Sequence, residues 1–249
     1  QQRLWAIKDF FDNKYVLKKT IDEWNGKRYV DLTPSDKLKL EDSIIRATII
    51  SSITPENPEI IFRIFERLNT GGVRLNDQEI RNGIWGGKLN DGLKNLNTNT
   101  DLRFLLGNKK PDNRYKDVEM ILRFFALIED WGNYKKPMNE YLTKYLSTNR
   151  NETKEQTKIL FTDTMQLIKK NIGQNAFRLD KGINKAFFDA VSLGIALCVK
   201  NNNLDINNMA NKHQSLRENK EMVGITSNST TNTKNLKRRI EIAYDTFKK

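Results

Sequence analysis

The sequence predicts an α+β fold, with a small β region at the front and a mainly α-helical remainder, and three observations carry that expectation. Short β-prone pieces punctuated by an Asn25-Gly26 turn lie between residues 15 and 53. Apolar residues recur at helical spacing almost without interruption after Pro55. The composition, 37% hydrophobic and 30% charged over 249 residues, is enough for one or two well-formed cores. The boundary is placed after residue 55, giving a front part over 1–55 and an α-helical region over 56–249.

Taken in order, residues 3–11 bring Leu4, Trp5, Ile7, Phe10 and Phe11 onto one helix face. Residues 15–17 and 27–32 read as short strands, and Trp24-Asn25-Gly26-Lys27 is a hairpin signal. Pro34 opens a short helix. Residues 43–53, rich in Ile and Thr, read as the longest strand. Helices are then predicted over 58–68, 76–85, 117–131, 138–146, 153–172, 184–200, 206–221 and 232–247, with the polar stretches 147–152 and 226–233 as turns or linkers.

A formal net charge of +12 attracts polyanions and makes DNA a candidate partner. Lysine and asparagine are abundant along the whole chain, so a general compositional bias accounts for that charge equally well. No apolar run approaches the roughly 18 residues that span a bilayer, so a membrane is not an expected partner. The single cysteine, Cys198, excludes an internal disulfide and reads as a buried, inert thiol in a reducing cytoplasm. The helix pattern begins within three residues of Gln1, so preceding structure is expected to supply its cap.

The one histidine, His213, lies in a polar helical stretch and reads as a surface side chain. A nuclease centre of the HNH kind needs histidine as base and metal ligand, and one His213 without a cysteine cluster does not provide it. There is no Walker A sequence. No residue is assigned as catalytic or as a metal ligand.

Two motifs carry candidate chemistry. Gln1, Gln2 and Arg3 stand where the first helix starts, so free amide N–H groups meet an arginine fork suited to phosphate. The bland alternative is a solvated helix cap. The second block runs through Leu68-Asn69-Thr70-Gly71-Gly72-Val73-Arg74-Leu75-Asn76-Asp77-Gln78-Glu79-Ile80-Arg81-Asn82. A helix ends, two glycines free the backbone to turn, and a second helix starts with polar residues in its first turns. Its bland alternative is a helix corner in which Gln78, Glu79 and Arg81 only cap and pair.

Together the blocks resemble the N-terminal domain family of GmrSD-type restriction endonucleases, which carries an Asp-Gly-Gln-Gln-Arg motif and a Leu-Asn-x-Gly-Gly-x-x-Leu-x-x-Gln-Glu-x-Arg-Asn motif. The second is matched in full here, while the Asp-Gly pair of the first and the strands before it are absent. The resemblance continues through Arg114, Asp117, Glu119, Arg123, Phe124 and Phe125, through Asn184, Lys185, Phe187, Phe188 and Asp189, and to Thr226, Ser227 and Arg238 or Arg239.

It implies a truncated ParB/sulfiredoxin-like nucleotide-binding front, with phosphate contacts falling to Gln1, Gln2 and Arg3. It also implies a cleft or motif role for Asn69, Gly71, Gly72, Gln78, Glu79, Arg81 and Asn82. The expected ligand is a nucleoside triphosphate, with magnesium, and an NTPase activity belongs to the full-length protein. The expected setting is a regulatory module in a prokaryotic modification-dependent restriction or phage-defence protein, partnered by DNA and by an HNH nuclease domain or subunit. A nucleic-acid-binding adaptor without catalysis is the alternative.

Overall fold

A computed structural model describes residues 2–45, 62–64, 67 and 74–249, with the side chains of residues 2 and 3 outside that description. The chain divides into two compact units, 1–53 and 54–249. Among the described residues all regular structure is helical, which overturns the expected α+β fold with a ParB/sulfiredoxin-like front.

In the first unit, α1 spans Gln2–Phe11 and α2 spans Pro34–Glu41, with a single 3-10 turn at Tyr29–Asp31. Thr33 caps α2 by accepting from the Asp36 amide at 3.2 Å, and Pro34 supplies a preset φ at its first position. The expected hairpin is reduced to two bonds, Leu17 N–H to the Lys27 carbonyl and Gly26 N–H to the Leu17 carbonyl. Its ladder goes no further because Asn13, Lys19 and Gly26 all take positive φ, which an extended strand cannot accommodate. Arg28 and Asp31 then close the 3-10 turn where the second strand was expected. Of the predicted strand over 43–53, residues 43–45 have no regular structure, and 46–53 lie outside the described residues. Phe10 and Leu32 are the buried apolar side chains here, and Phe10 and Phe11 pack against Tyr29 with ring centroids 6.1 and 4.7 Å apart.

The second unit is built from α3 (Asp77–Ile84), α4 (Lys88–Leu96), α5 (Thr100–Leu106), α6 (Lys116–Asp130), α7 (Met138–Thr148), α8 (Glu155–Asn171), α9 (Lys185–Lys200), α10 (Met209–Glu218), α11 (Lys220–Ser227) and α12 (Thr233–Phe247). Helices α4 and α5 are not among those the sequence predicts. The helix predicted over 206–221 is divided between α10 and α11, which separate at Asn219; that residue is extended at ψ 112° and caps α11 by accepting from the Met222 amide.

Helices α6 and α9 form the centre. The inner face of α6 is buried from Val118 to Ile128, and α9 is buried almost all round from Ala186 to Cys198. Such all-round apolarity places a helix inside its neighbours, and α9 packs against α6, α8 and most extensively α12. Phe124 meets Phe161 edge-on at 5.1 Å, and Phe177 meets Phe188 at 4.7 Å.

His213 is 5% exposed, correcting its reading as a surface residue. Met209, His213 and Leu216 share the inner face of α10, and His213 Nε2–H donates to the Ala176 carbonyl at 3.0 Å. Burial lowers the imidazole pKa, so the ring is neutral at physiological pH. Cys198 is buried and unpaired, and burial raises its thiol pKa to about 11, as an inert thiol requires.

The α9–α12 contact depends on Gly194. A Cβ there would stand 2.7 Å from Ala243 Cβ and 2.8 Å from the Ala243 carbonyl carbon. Gly194→Val should therefore destabilise the unit by roughly 2 kcal/mol, lowering its thermal midpoint by about 4–8 °C. Gly224→Ala in α11, where a Cβ meets nothing within 4 Å, should leave the midpoint unchanged or raise it. Paired melting curves check both expectations.

Candidate functional site

The start of α3 is fixed by a capping box. Asn76 Oδ1 accepts from the Glu79 amide at 2.9 Å, while Glu79 Oε2 accepts from the Asn76 amide at 2.8 Å. The same Glu79 oxygen takes Arg114 Nη2 at 2.8 Å, and Asn76 Nδ2 donates to the Arg114 carbonyl. Glu79 therefore ties the turn before α6 to α3.

Gln78 is fully buried, and its Oε1 accepts from Arg81 Nη1 at 2.9 Å while its Nε2 donates to Asn82 Oδ1 at 3.1 Å. Arg81, 1% exposed, also reaches Thr143 Oγ1 on α7 and Glu119 Oε2 on α6, each at 3.3 Å. Gln78 of the motif, Thr143 of α7 and Glu119 of α6 thus set the Arg81 guanidinium in place. A solvated corner would have left Gln78 and Arg81 outside.

Arg81 opens a larger network. Glu119 Oε1 accepts from Lys185 Nζ at 2.9 Å. One turn along α6, Arg123 grips Asp189 of α9 through Nε at 2.9 Å and through Nη2. Asp189 Oδ2 also accepts from Arg239 Nη2 of α12 at 2.6 Å. Arg239 donates to the Thr230 carbonyl, and Tyr134 donates to the Thr231 carbonyl at 2.7 Å, which pins the loop before α12.

These groups border a cleft of about 390 Å³, lined by Asp77, Arg81, Glu119, Arg123 and Lys185 together with residues 137–139, Leu142, Ala186, Thr230 and Thr231. The lining includes the first residues of α3, α7 and α9 and the two threonines just ahead of α12. Helix N-termini present unbonded amides and the positive end of the helix dipole, so their convergence favours an anion. Pro137 offers no side-chain cap at the start of α7 and Asn139 Oδ1 accepts from the Glu140 amide at 2.9 Å, so the amides of Met138 and Asn139 are the ones left open there. In the adjoining network Arg239 Nε is buried with no acceptor among the described residues.

Titration shifts follow from this crowding. Burial works against the Glu119 carboxylate, but Lys185, Arg81 and Arg123 together hold its pKa below the usual range. Burial works equally against Asp189, and Arg123 and Arg239 again prevail, holding its pKa low. Burial lowers the pKa of Arg81, and the nearby Arg123 adds to that effect against the opposing pull of Glu119 and Asp77. The pocket thus concentrates positive charge that its own carboxylates only partly neutralise.

Of the sequence-predicted site residues, Gln78 and Arg81 belong to this network, Asn82 is its outer hydrogen-bond partner, and Glu79 braces the corner beside it. Gln2 and Arg3 fall in the first turn of α1 in the other compact unit, with their side chains outside the described residues, as is Gln1. Asn69, Gly71 and Gly72 also lie outside the described residues. Lys185, Arg123 and Glu119 carry the resemblance, but their spacing along the chain gives no sign that two helices, α6 and α9, bring them together.

Among the described residues, no group of three His, Cys, Asp or Glu side chains is arranged to hold a metal ion, and no helix is long and apolar enough to cross a membrane. Compared with family models, curated proteins and solved structures, the chain matches none.

Removing the charge at the centre of the network should be costly. Asp189→Ala leaves Arg123 and Arg239 buried without compensation, an expected loss of about 3–5 kcal/mol in chemical denaturation. Because the Asp189 and Glu119 pKa values are depressed on folding, their contribution is present at neutral pH and lost as pH falls below about 4. Stability measured between pH 7 and 3 should fall over that window, and an unchanged midpoint in acid would remove the network from the account.

Proposed function

We propose that this chain is a nucleotide-binding module that holds its ligand through phosphate in the cleft between α3, α7, α9 and the loop before α12. The observation that carries the reading is the convergence of Arg81, Arg123 and Lys185 with three helix N-termini on one recess. Charge-assisted hydrogen bonds from guanidinium and ammonium groups hold phosphate oxygens at about 1.5–3 kcal/mol each. Helix amides add donors that need no reorganisation.

Part of the GmrSD-type resemblance falls on the network, at Gln78, Arg81, Glu119, Arg123, Lys185, Asp189 and Arg239. That likeness supplies the proposed setting: a regulatory part of a modification-dependent restriction or phage-defence protein, acting with DNA and a nuclease partner in the cytoplasm. Gln1, Gln2 and Arg3 hold a phosphate role only through the same likeness.

A nucleoside triphosphate fits the donor set, and magnesium would arrive with the phosphates. Asp77 and Glu119 are the carboxylates of the lining, and Glu119 is already shared by Arg81 and Lys185. The net charge of +12 favours the DNA-binding adaptor as the second reading.

Calorimetric titration of the four common nucleoside triphosphates separates the two. Binding by at least one of them is expected, weakened about tenfold by Lys185→Ala, the loss of one charge-assisted bond. Lys185 has a side chain 46% exposed, so the variant should keep its melting temperature. Absence of binding by all four, alongside DNA binding that falls steeply with salt and ignores Lys185, would overturn the nucleotide reading in favour of the adaptor.

A further inference from the structure

The depth of the charges in the cleft points to the kind of phosphate it accepts. We infer that the cleft selects a phosphate at the end of its carrier, as in a nucleoside polyphosphate, over the phosphodiester of a nucleic-acid chain. This rests on the reading that the cleft holds phosphate at all.

Exposure ranks four of the five charged side chains of the lining, Arg81 at 1%, Arg123 at 6%, Glu119 at 18% and Lys185 at 46%, and Asp77 is half-buried. A backbone phosphodiester carries sugars on both sides and presents two free oxygens from the surface of a strand. It can meet Lys185 at the rim, but its two ester substituents keep it from following the recess inward to Arg123 and Arg81. A terminal phosphate has three free oxygens, one covalent attachment and a charge of about −1.5 to −2 at neutral pH, and it can enter a recess end-on.

The donors surround the space as such a group requires. Arg81 and Arg123 come from α3 and α6, Lys185 from α9, the uncapped amides of Met138 and Asn139 from α7, and Thr230 and Thr231 from the pinned loop. A volume of about 390 Å³ lies within the range of small-ligand sites, roughly 300–1,000 Å³, and far below what a duplex needs.

Glu119 gives the inference a signature of its own. Its two oxygens bridge Arg81 and Lys185, so in the absence of ligand it occupies the donors that a phosphate would take. An incoming terminal phosphate competes with this carboxylate and is repelled by it. Neutralising Glu119 should therefore tighten binding, an effect that a merely structural role would not produce.

The test uses the full chain and displacement of fluorescent methylanthraniloyl-GTP at constant ionic strength. The competitors are GTP, inorganic pyrophosphate, cyclic GMP as a small phosphodiester, and duplex DNA with unphosphorylated ends. GTP and pyrophosphate are expected to displace the probe at concentrations at least tenfold below those of cyclic GMP and DNA phosphate. Glu119→Gln should tighten pyrophosphate binding several-fold, and Lys185→Ala should weaken it about tenfold.

If cyclic GMP or the duplex displaces as well as pyrophosphate while Lys185→Ala still weakens every competitor, the terminal-phosphate inference fails and the nucleotide reading stands. If the probe does not bind, or binds with no response to Lys185→Ala and Glu119→Gln, both fail together.

Discussion

Asp189 holds three helices of the second unit to a single negative charge. Its carboxylate is fully covered, and it takes Arg123 from α6 with one edge and Arg239 from α12 with a shared oxygen, while its own backbone lies in α9. Each buried ion would be expensive alone, and the trio is tolerable only because every member is hydrogen-bonded to another. That requirement fixes the rotation of α6 against α9 and of α12 against both. It also determines where Glu119, one turn before Arg123, emerges. The same turn of α9 that presents Asp189 begins with Lys185, so the structural triad and the lining of the cleft are set by one arrangement.

The second unit therefore stores its positive charge at two levels. In the interior, two arginines share one aspartate; at the cleft, Arg81 and Lys185 share Glu119. The interior trio keeps one positive charge in excess, and the cleft, where Asp77 stands beside Glu119, adjoins the starts of α3, α7 and α9. The hydrophobic packing of α9 against α12, closed by the missing side chain of Gly194, gives this arrangement a rigid floor.

How much of this could be read in the sequence differs between the two units. Helices with clear periodicity and capping residues were legible: Asn76 before α3, Asn184 before α9 and Asn232 before α12 all perform the capping that their type suggests. The short β-prone pieces were misleading because Tyr15, Val16 and Val30 favour strands individually, yet a strand exists only through a partner in register. Positive φ at Asn13 and Lys19 breaks that register, and neither residue announces it. His213 was misplaced because its polar neighbours Gln214 and Arg217 outweighed the i, i+4, i+7 pattern of Met209, His213 and Leu216. At the cleft, the motif around Gln78 and Arg81 was visible as chemistry, but its use was not: whether a polar corner faces solvent or a buried guanidinium network depends on α6, α7 and α9, which are brought to it from far along the chain.

The cleft and the phosphate role that the resemblance gives to Gln1, Gln2 and Arg3 place the ligand in different compact units, so one measurement decides between them. Crystals grown with a non-hydrolysable nucleoside triphosphate analogue should show the terminal phosphate within hydrogen-bonding distance of Arg123 and Lys185, at the first turn of α7. Density for the phosphates at the first turn of α1 instead, with the cleft still bridged by Glu119 between Arg81 and Lys185, would contradict the assignment.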